Sequence, residues 1–386
     1  MQKLSWNQFK LFAFSLPLAI AIFASCPAAF GAADIAGPSL GSSGVSEDAQ
    51  KLISNKKWAE AAVVLRAELA ESAPAPAEKI AVLLSRALVF SGRREEALAV
   101  LSQTLSREKS APLKRELIQK IRITAQVFLT NTDFQLHQDG VNLMMARKYR
   151  AAREKFDKAL EQEPTNVANL IRVGQCMALG GDYDSAAERL RLAERLDPYE
   201  PEVRLWLGRA LHQRGEIAEA TEELKAAYDE QPGSEIAATW YAETLVSHGQ
   251  KNEALRVLEN DVEQRPDNVG SLVSLARMRI KALQGVANAS NKDALAAAWQ
   301  SRRELQLALS RLPTYLDTAS SSVVPLPGSP ETPDTTGITP PAPAPANDLA
   351  VDQRRPEDEL KREIERLMSD ADARIERLTA ASPLAH

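Results

Sequence analysis

The chain has 386 residues, more than one ordinary compact domain holds. Apolar residues make up 44% and aromatics only 5%, with glycine modest at 17, a balance that suits packed helices better than sheets because small and unbranched side chains keep their rotamer freedom in a helix. The net charge of −5 gives a general nucleic-acid role no electrostatic support.

Residues 1–33 read as a targeting segment. Lys3 and Lys10 make a basic start, and Leu11 to Ala24 is an apolar run broken only by Ser15 and Pro17. That run is about 14 residues, short of the ~20 that a membrane span needs. Ala29-Phe30-Gly31 and Gly31-Ala32-Ala33 are alternative cleavage sites. The segment predicts Sec-type export and a periplasmic or envelope-associated location. Phe23-Ala24-Ser25-Cys26 resembles the lipobox of bacterial lipoproteins, whose cysteine becomes the lipidated first residue, although Phe23 stands where a smaller aliphatic is usual and Pro27 follows. Cys26 is thus either a lipidation site, the one case in which membrane contact is expected, or a residue lost with the leader. Its loss leaves Cys176 without a cysteine partner in the chain, so the fold must hold without an intrachain disulfide.

Residues 45–130 carry an irregular helical pattern. Trp58-Ala59-Glu60-Ala61 and Arg94-Glu95-Glu96-Ala97 look like starts of second helices, with Leu65 and Leu101 following each at the same distance. The interval from Ala97 to Ala152 exceeds one repeat by about 20 residues, and Leu113 to Leu129 predicts an extra helix there.

From 131 to 266 the pattern becomes strict. Pro164, Pro198, Pro232 and Pro266 are each 34 residues apart, as are Ala152, Ala186, Ala220 and Ala254. Gly140, Gly174 and Gly208 form another column, continued by Ala242 and Ala276, and Phe156 is followed in register by Leu190, Leu224 and Leu258. The columns resemble the tetratricopeptide repeat family, whose sequence runs Trp-x-x-Leu-Gly-x-x-Tyr, then Ala-x-x-x-Phe, then Pro. Val173-Gly174 and Leu207-Gly208 match the Leu-Gly step, and Ala152 with Phe156 matches the second half. The tryptophan place holds Leu136, Leu170, Arg204 and Ala238, and the tyrosine place Leu143, Met177, Leu211 and Leu245. The resemblance implies an all-α fold, a right-handed superhelical solenoid of about seven helix pairs. In such a hairpin Gly174 and Ala186 are small so that two backbones can approach, and Leu190 is expected in the seam toward the next repeat. Gly181, Gly215 and Gly249 fall at turns where a left-handed conformation costs glycine little.

Residues 267–313 predict a closing pair, Val269 to Leu283 and Asp293 to Leu312, with a turn at Gly285 to Asn291 and an end near Pro313. Residues 314–355 predict a disordered Pro-rich linker, since Val323 to Asn347 includes Pro325, Pro327, Pro330 and Pro333 as well as Pro340-Pro341. Residues 356–381 predict an amphipathic C-terminal helix with a narrow stripe of Leu360, Ile364, Leu367, Ala371, Ile375 and Leu378, able to pair with another helix or fold back.

Chemistry has little to stand on. The four histidines, His137, His212, His248 and His386, match no metal-binding spacing, and neither a Gly-x-Ser-x-Gly elbow nor a phosphate-cradling glycine loop is present. Cys176 reads as a buried structural thiol. No catalytic residue, metal or cofactor is expected. The family resemblance implies instead a concave groove lined by the first helix of each repeat. The residues around the Leu-Gly step would line it: His137, Val141, Met144, Arg172, Gln175, Leu205, Trp206, Arg209, His212, Gln213, Thr239, Trp240, Glu243 and Val246. Trp206 and Trp240, one repeat apart, are either an anchor for a peptide or helix beside Arg209 and Glu243, or fillers between repeats. The expected partner is a protein held in this groove by a non-catalytic envelope scaffold. The alternative is a polysaccharide, contacted by the indoles in a module assisting exopolysaccharide export or cell-wall assembly. Nucleic acid is not expected.

Overall fold

The computed structural model describes residues 45–72, 74–284, 291–321 and 356–380. The targeting segment with Cys26, the turn at 285–290 and the proline-rich residues 322–355 lie outside the described residues. All described elements are helices, sixteen in number. They fall into two compact units, one ending at Lys251 and one beginning at Asn252.

The first unit holds α1 (Glu47–Ser54), α2 (Trp58–Glu71), α3 (Pro74–Phe90), α4 (Arg94–Arg107), α5 (Ala111–Gln126), α6 (Asn131–Met145), α7 (Tyr149–Gln162), α8 (Val167–Leu179), α9 (Tyr183–Leu196), α10 (Pro201–Arg214), α11 (Ile217–Glu230) and α12 (Glu235–Ser247). Except for α5 and α6, each packs on its chain neighbour in antiparallel hairpins, and the first helices α8, α10 and α12 also touch in succession. Helix starts are capped by local polar side chains: Thr130, Asn166 and Ser234 accept the backbone N–H groups of Asp133, Asn169 and Ala237. Within the hairpins, the tight turns share one geometry. Gly181, Gly215 and Gly249 lie at φ near +85° to +88°, and Arg147, one repeat earlier, takes φ +57° at the same place. The hairpin imposes a left-handed residue even where the chain offers arginine.

The glycine column has a specific partner. A Cβ on Gly174 would lie 2.6 Å from Leu190 Cγ, one on Gly208 would lie 2.6 Å from Leu224 Cγ, and one on Gly140 would strike the Phe156 ring. Phe156, Leu190 and Leu224 are fully buried. Leu190 therefore fills the space over the glycine of its own hairpin, a correction to its expected place in the seam between repeats. The large residue on the second helix needs the missing side chain on the first.

The break in spacing between Ala97 and Ala152 is the helix α5. It packs on α4 and α3 and touches α8, so it stands beside the first helices of the array without a second helix of its own. Its C-terminal end is held by Arg94. The guanidinium donates to the carbonyls of Thr124 and Ala125 at 2.9 Å each and of Val127 at 2.8 Å, and pairs with Glu163 beyond the end of α7. Glu163 also accepts Leu129 N–H at 2.8 Å, and Asn166 Nδ2 donates to Val127 O at 3.1 Å. Burial pushes the Glu163 carboxyl up and the Arg94 charge opposes it. One buried cation thus joins α4, the end of α5 and the entry to the regular repeats.

The second unit holds α13 (Lys251–Gln264), α14 (Val269–Gln284), α15 (Asn291–Ser321) and α16 (Pro356–Ala380). Helix α15 runs through Pro313 to Ser321, beyond the expected end. Proline removes one backbone donor but keeps a helical φ, so a long helix can carry it with a local defect. Val269, Leu272 and Val273 of α14, Leu305, Ala308 and Leu312 of α15, and Ile364, Leu367 and Ala371 of α16 share one buried cluster.

Arg94→Met is expected to lower the stability of the full chain by ~3–5 kcal/mol, because Glu163 then stays buried without its cation. Adding Glu163→Leu should recover a large part of that loss. Urea midpoints of the wild type, both single variants and the double variant check the coupling; additive losses would refute it.

Candidate functional site

The inner face of the array is built from α6, α8, α10 and α12, and the columns assign its positions. His137, Leu205 and Thr239 share one register place, Val141, Gln175, Arg209 and Glu243 the next, and Met144, His212 and Val246 a third. Burial divides these residues into two groups.

His137, Met144, Arg172, Gln175, Leu205, Trp206 and Trp240 are buried, so the expectation that they face a partner is corrected. Helix α8 is enclosed along nearly its whole length, between α7, α9, α10 and α5. Arg172 is there to satisfy a buried carboxylate: its guanidinium donates to Glu202 at 2.6 Å and to Gln175 at 2.8 Å, and Gln175 Nε2 also donates to Glu202. Glu202, buried between repeats, was not among the residues that the sequence singles out. His137 Nδ1 lies 2.8 Å from Asn169 Oδ1, inside a ring of Phe128 and Phe156. Burial, with Arg172 adding to it, pushes His137 down to about 4 and keeps it neutral. Cys176 is likewise inert, its thiol pushed up by burial to about 12.

Trp206 and Trp240 are 3% and 6% exposed and meet edge to face, with ring centroids 5.0 Å apart. They fill the space between α10 and α12, which is the filler alternative and not the anchor. Trp206 Nε1 has no hydrogen-bond partner.

Val141, Arg209, His212, Gln213, Thr239, Glu243 and Val246 are half-buried and keep accessible surface. Arg209 lies over the Trp240 ring at 5.1 Å and pairs with Glu243 at 3.1 Å. The buried indole thus sets the height of the cation, and the cation ties one repeat to the next. His212 Nδ1 lies 2.8 Å from Thr244 Oγ1, and that hydroxyl donates to Trp240 O at 2.9 Å. With the hydroxyl proton spent, His212 must donate through Nδ1, which leaves Nε2 as an acceptor. Burial, with Arg209 adding to it, pushes His212 down to about 4, so it is neutral at physiological pH. Apart from Val141 on α6, the accessible part of the inner face is therefore a largely polar strip on α10 and α12.

Helical hairpins recurring every 34 residues, each with a small residue under a large one, define an α-helical repeat array. Two family models described as tetratricopeptide repeat match the chain, one over residues 143–195 and 211–276 and one over 180–235. Residues 143–276 thus carry tetratricopeptide repeats. No curated protein sequence matches the chain. A solved thermophilic TPR protein of Thermus thermophilus is similar at 18% identity and TM-score 0.40, over 50% of this chain and 98% of that one. PilW, a widely conserved type IV pilus biogenesis factor, is similar at 19% identity and TM-score 0.39, over 50% and 91%. The C-terminal part of a TPR repeat-containing protein from Cytophaga hutchinsonii is similar at 15% identity and TM-score 0.36, over 72% and 98%. The assignment rests on the repeat columns and the family match. Proteins of this fold are in general non-catalytic scaffolds that bind other proteins.

Two expectations follow. The double variant Trp206→Ala, Trp240→Ala should lose stability, with each truncation worth ~3–5 kcal/mol in a packed site; an unchanged thermal melt would refute the filler role. The second concerns Asp197, fully buried before Pro198, whose one oxygen accepts Tyr199 N–H at 3.1 Å while the other has no partner. Burial, with Glu200 adding to it, pushes Asp197 up to about 7. A carboxyl raised in the folded state favours folding while protonated, so its contribution is lost as pH rises from about 4 through about 7. Asp197→Asn should therefore gain stability relative to wild type across that window, by on the order of 3–4 kcal/mol, and hold the gain above it. His137 and His212 act with the opposite sign over the same range, so the difference between the two proteins, and not either melt alone, is the readout. A difference independent of pH would refute the shift.

Proposed function

We propose that this chain is an exported, non-catalytic scaffold of the bacterial cell envelope that holds a peptide or helix of a protein partner on the strip of α10 and α12. The observation that supports this most directly is the Arg209–Glu243 pair. It bridges adjacent repeats at the accessible face, above a packed aromatic floor, with Gln213, Thr239 and Val246 half-buried on the same two helices. A rigid array that presents a charged pair and an adjacent neutral histidine offers a partner both signs of charge and hydrogen-bonding groups at defined height. The basic, apolar and small-residue segment at 1–33 supports export. A polysaccharide reading needs an aromatic platform, and the burial of both indoles removes the one that the sequence offers.

The exchange Arg209→Glu with Glu243→Arg keeps the internal pair while inverting the pattern that a partner meets. Affinity capture with this variant and with wild type, from the native envelope and read by mass spectrometry, should show at least a tenfold loss of the specific partner. The melting temperature should stay within a few degrees. Undiminished capture would remove the strip from the proposal.

A further inference from the structure

In the second unit, the equivalent of this strip is already covered by the chain itself. Val273, Arg277 and Ile280 of α14 fall one 34-residue period after Thr239, Glu243 and Val246. Helix α16 lies along α14 and α15 at that face. Its Ile364, Leu367 and Ala371 share a buried cluster with Val273 and Ile280, and its Ile375 joins Leu283, Ala294 and Ala298. Charges flank this stripe in pairs. Arg277 Nε donates to Glu363 at 3.0 Å, and Arg302 Nε donates to Asp372 at 2.5 Å. Arg374 donates to the Leu283 carbonyl near the end of α14.

We propose that α14 and α15 form a docking surface for an acidic amphipathic helix, and that α16 is its tethered and exchangeable ligand. The surface offers an aliphatic floor between two guanidinium groups, and α16 answers with an aliphatic stripe between two carboxylates. Among its described side chains, the buried apolar ones are Ile364, Leu367, Ala371 and Ile375. Much of the rest is charged and exposed, as at Lys361, Arg362, Glu365 and Arg366. Leu360, Met368 and Leu378 pack half-buried along the same stripe. Residues 322–355 join α16 to α15 in the same chain, so it meets this surface intramolecularly. A second copy of α16, supplied in trans, therefore fits the same surface. This inference concerns the unit from Asn252 onward and stands apart from the strip around Arg209.

Two measurements test it. Amide hydrogen exchange of the full chain should show α16 exchanging at least tenfold faster than α14 and α15. A fluorescent peptide of residues 356–380 should bind full chain carrying Ile364→Asp and Leu367→Asp at least tenfold more tightly than wild type, whose own α16 competes. Arg277→Glu added to that variant should abolish binding, and a peptide with Glu363→Arg should restore it. The proposal is overturned if α16 exchanges only together with α14 and α15, or if undocking it melts those helices. It is equally overturned if the peptide binds neither protein, binds both alike, or ignores Arg277→Glu.

Discussion

Three successive hairpins of the regular array depend on one steric complement, a glycine on the first helix beneath a large apolar residue on the second. Gly140 receives Phe156, Gly174 receives Leu190 and Gly208 receives Leu224. A side chain at any of these glycines would meet a fully buried neighbour that has nowhere to move. The close approach of the two helices sets the angle at which each hairpin presents its first helix to the next, and so the spacing of every residue on the inner face. The left-handed turn follows from the same constraint, which is why Arg147 adopts it where later repeats use glycine.

Against this regularity, α5 is an extra helix without a second helix of its own, and a polar joint holds its end. Arg94 supplies that joint by satisfying carbonyls at the end of α5 and the carboxylate of Glu163 together. Buried charge recurs further on, where Arg172 and Gln175 hold Glu202 between α8 and α10. An unpaired carboxylate in these places would be costly, so both networks fix the register of neighbouring helices more than they add to stability. The accessible strip on α10 and α12 inherits its shape from this packing. Trp206 and Trp240 fill the gap beneath it, and Arg209 rests on the second indole.

The two units treat the same face of their first helices differently. In the first, the face keeps a half-buried polar strip with paired charges. In the second, an aliphatic floor flanked by Arg277 and Arg302 is covered by α16 from the distal end of the chain. The cationic flanks meet Glu363 and Asp372, two carboxylates at the edges of the narrow apolar stripe of α16.

Much of the architecture was legible in the primary structure. The columns at Pro198, Ala186 and Gly174 place the hairpins of the regular repeats, because a small residue, a large residue and a helix stop must each recur where the geometry recurs. Trp58 and Arg94 mark the helix starts of the irregular repeats for the same reason, and the stripe from Leu360 to Leu378 marks the last helix. Tertiary structure alone decided which inner-face residues remain accessible. Periodicity tells which side of a helix a residue occupies, but not whether another helix or a neighbouring repeat has closed over that side, so Trp206 and Arg209 looked alike in the sequence and differ in the fold. It also decided that Glu163 meets Arg94 and Glu202 meets Arg172, since partners 69 and 30 residues apart leave no local pattern. The sequence determined a repeat array with a tethered helix; packing determined where that array is sealed and where it stays open.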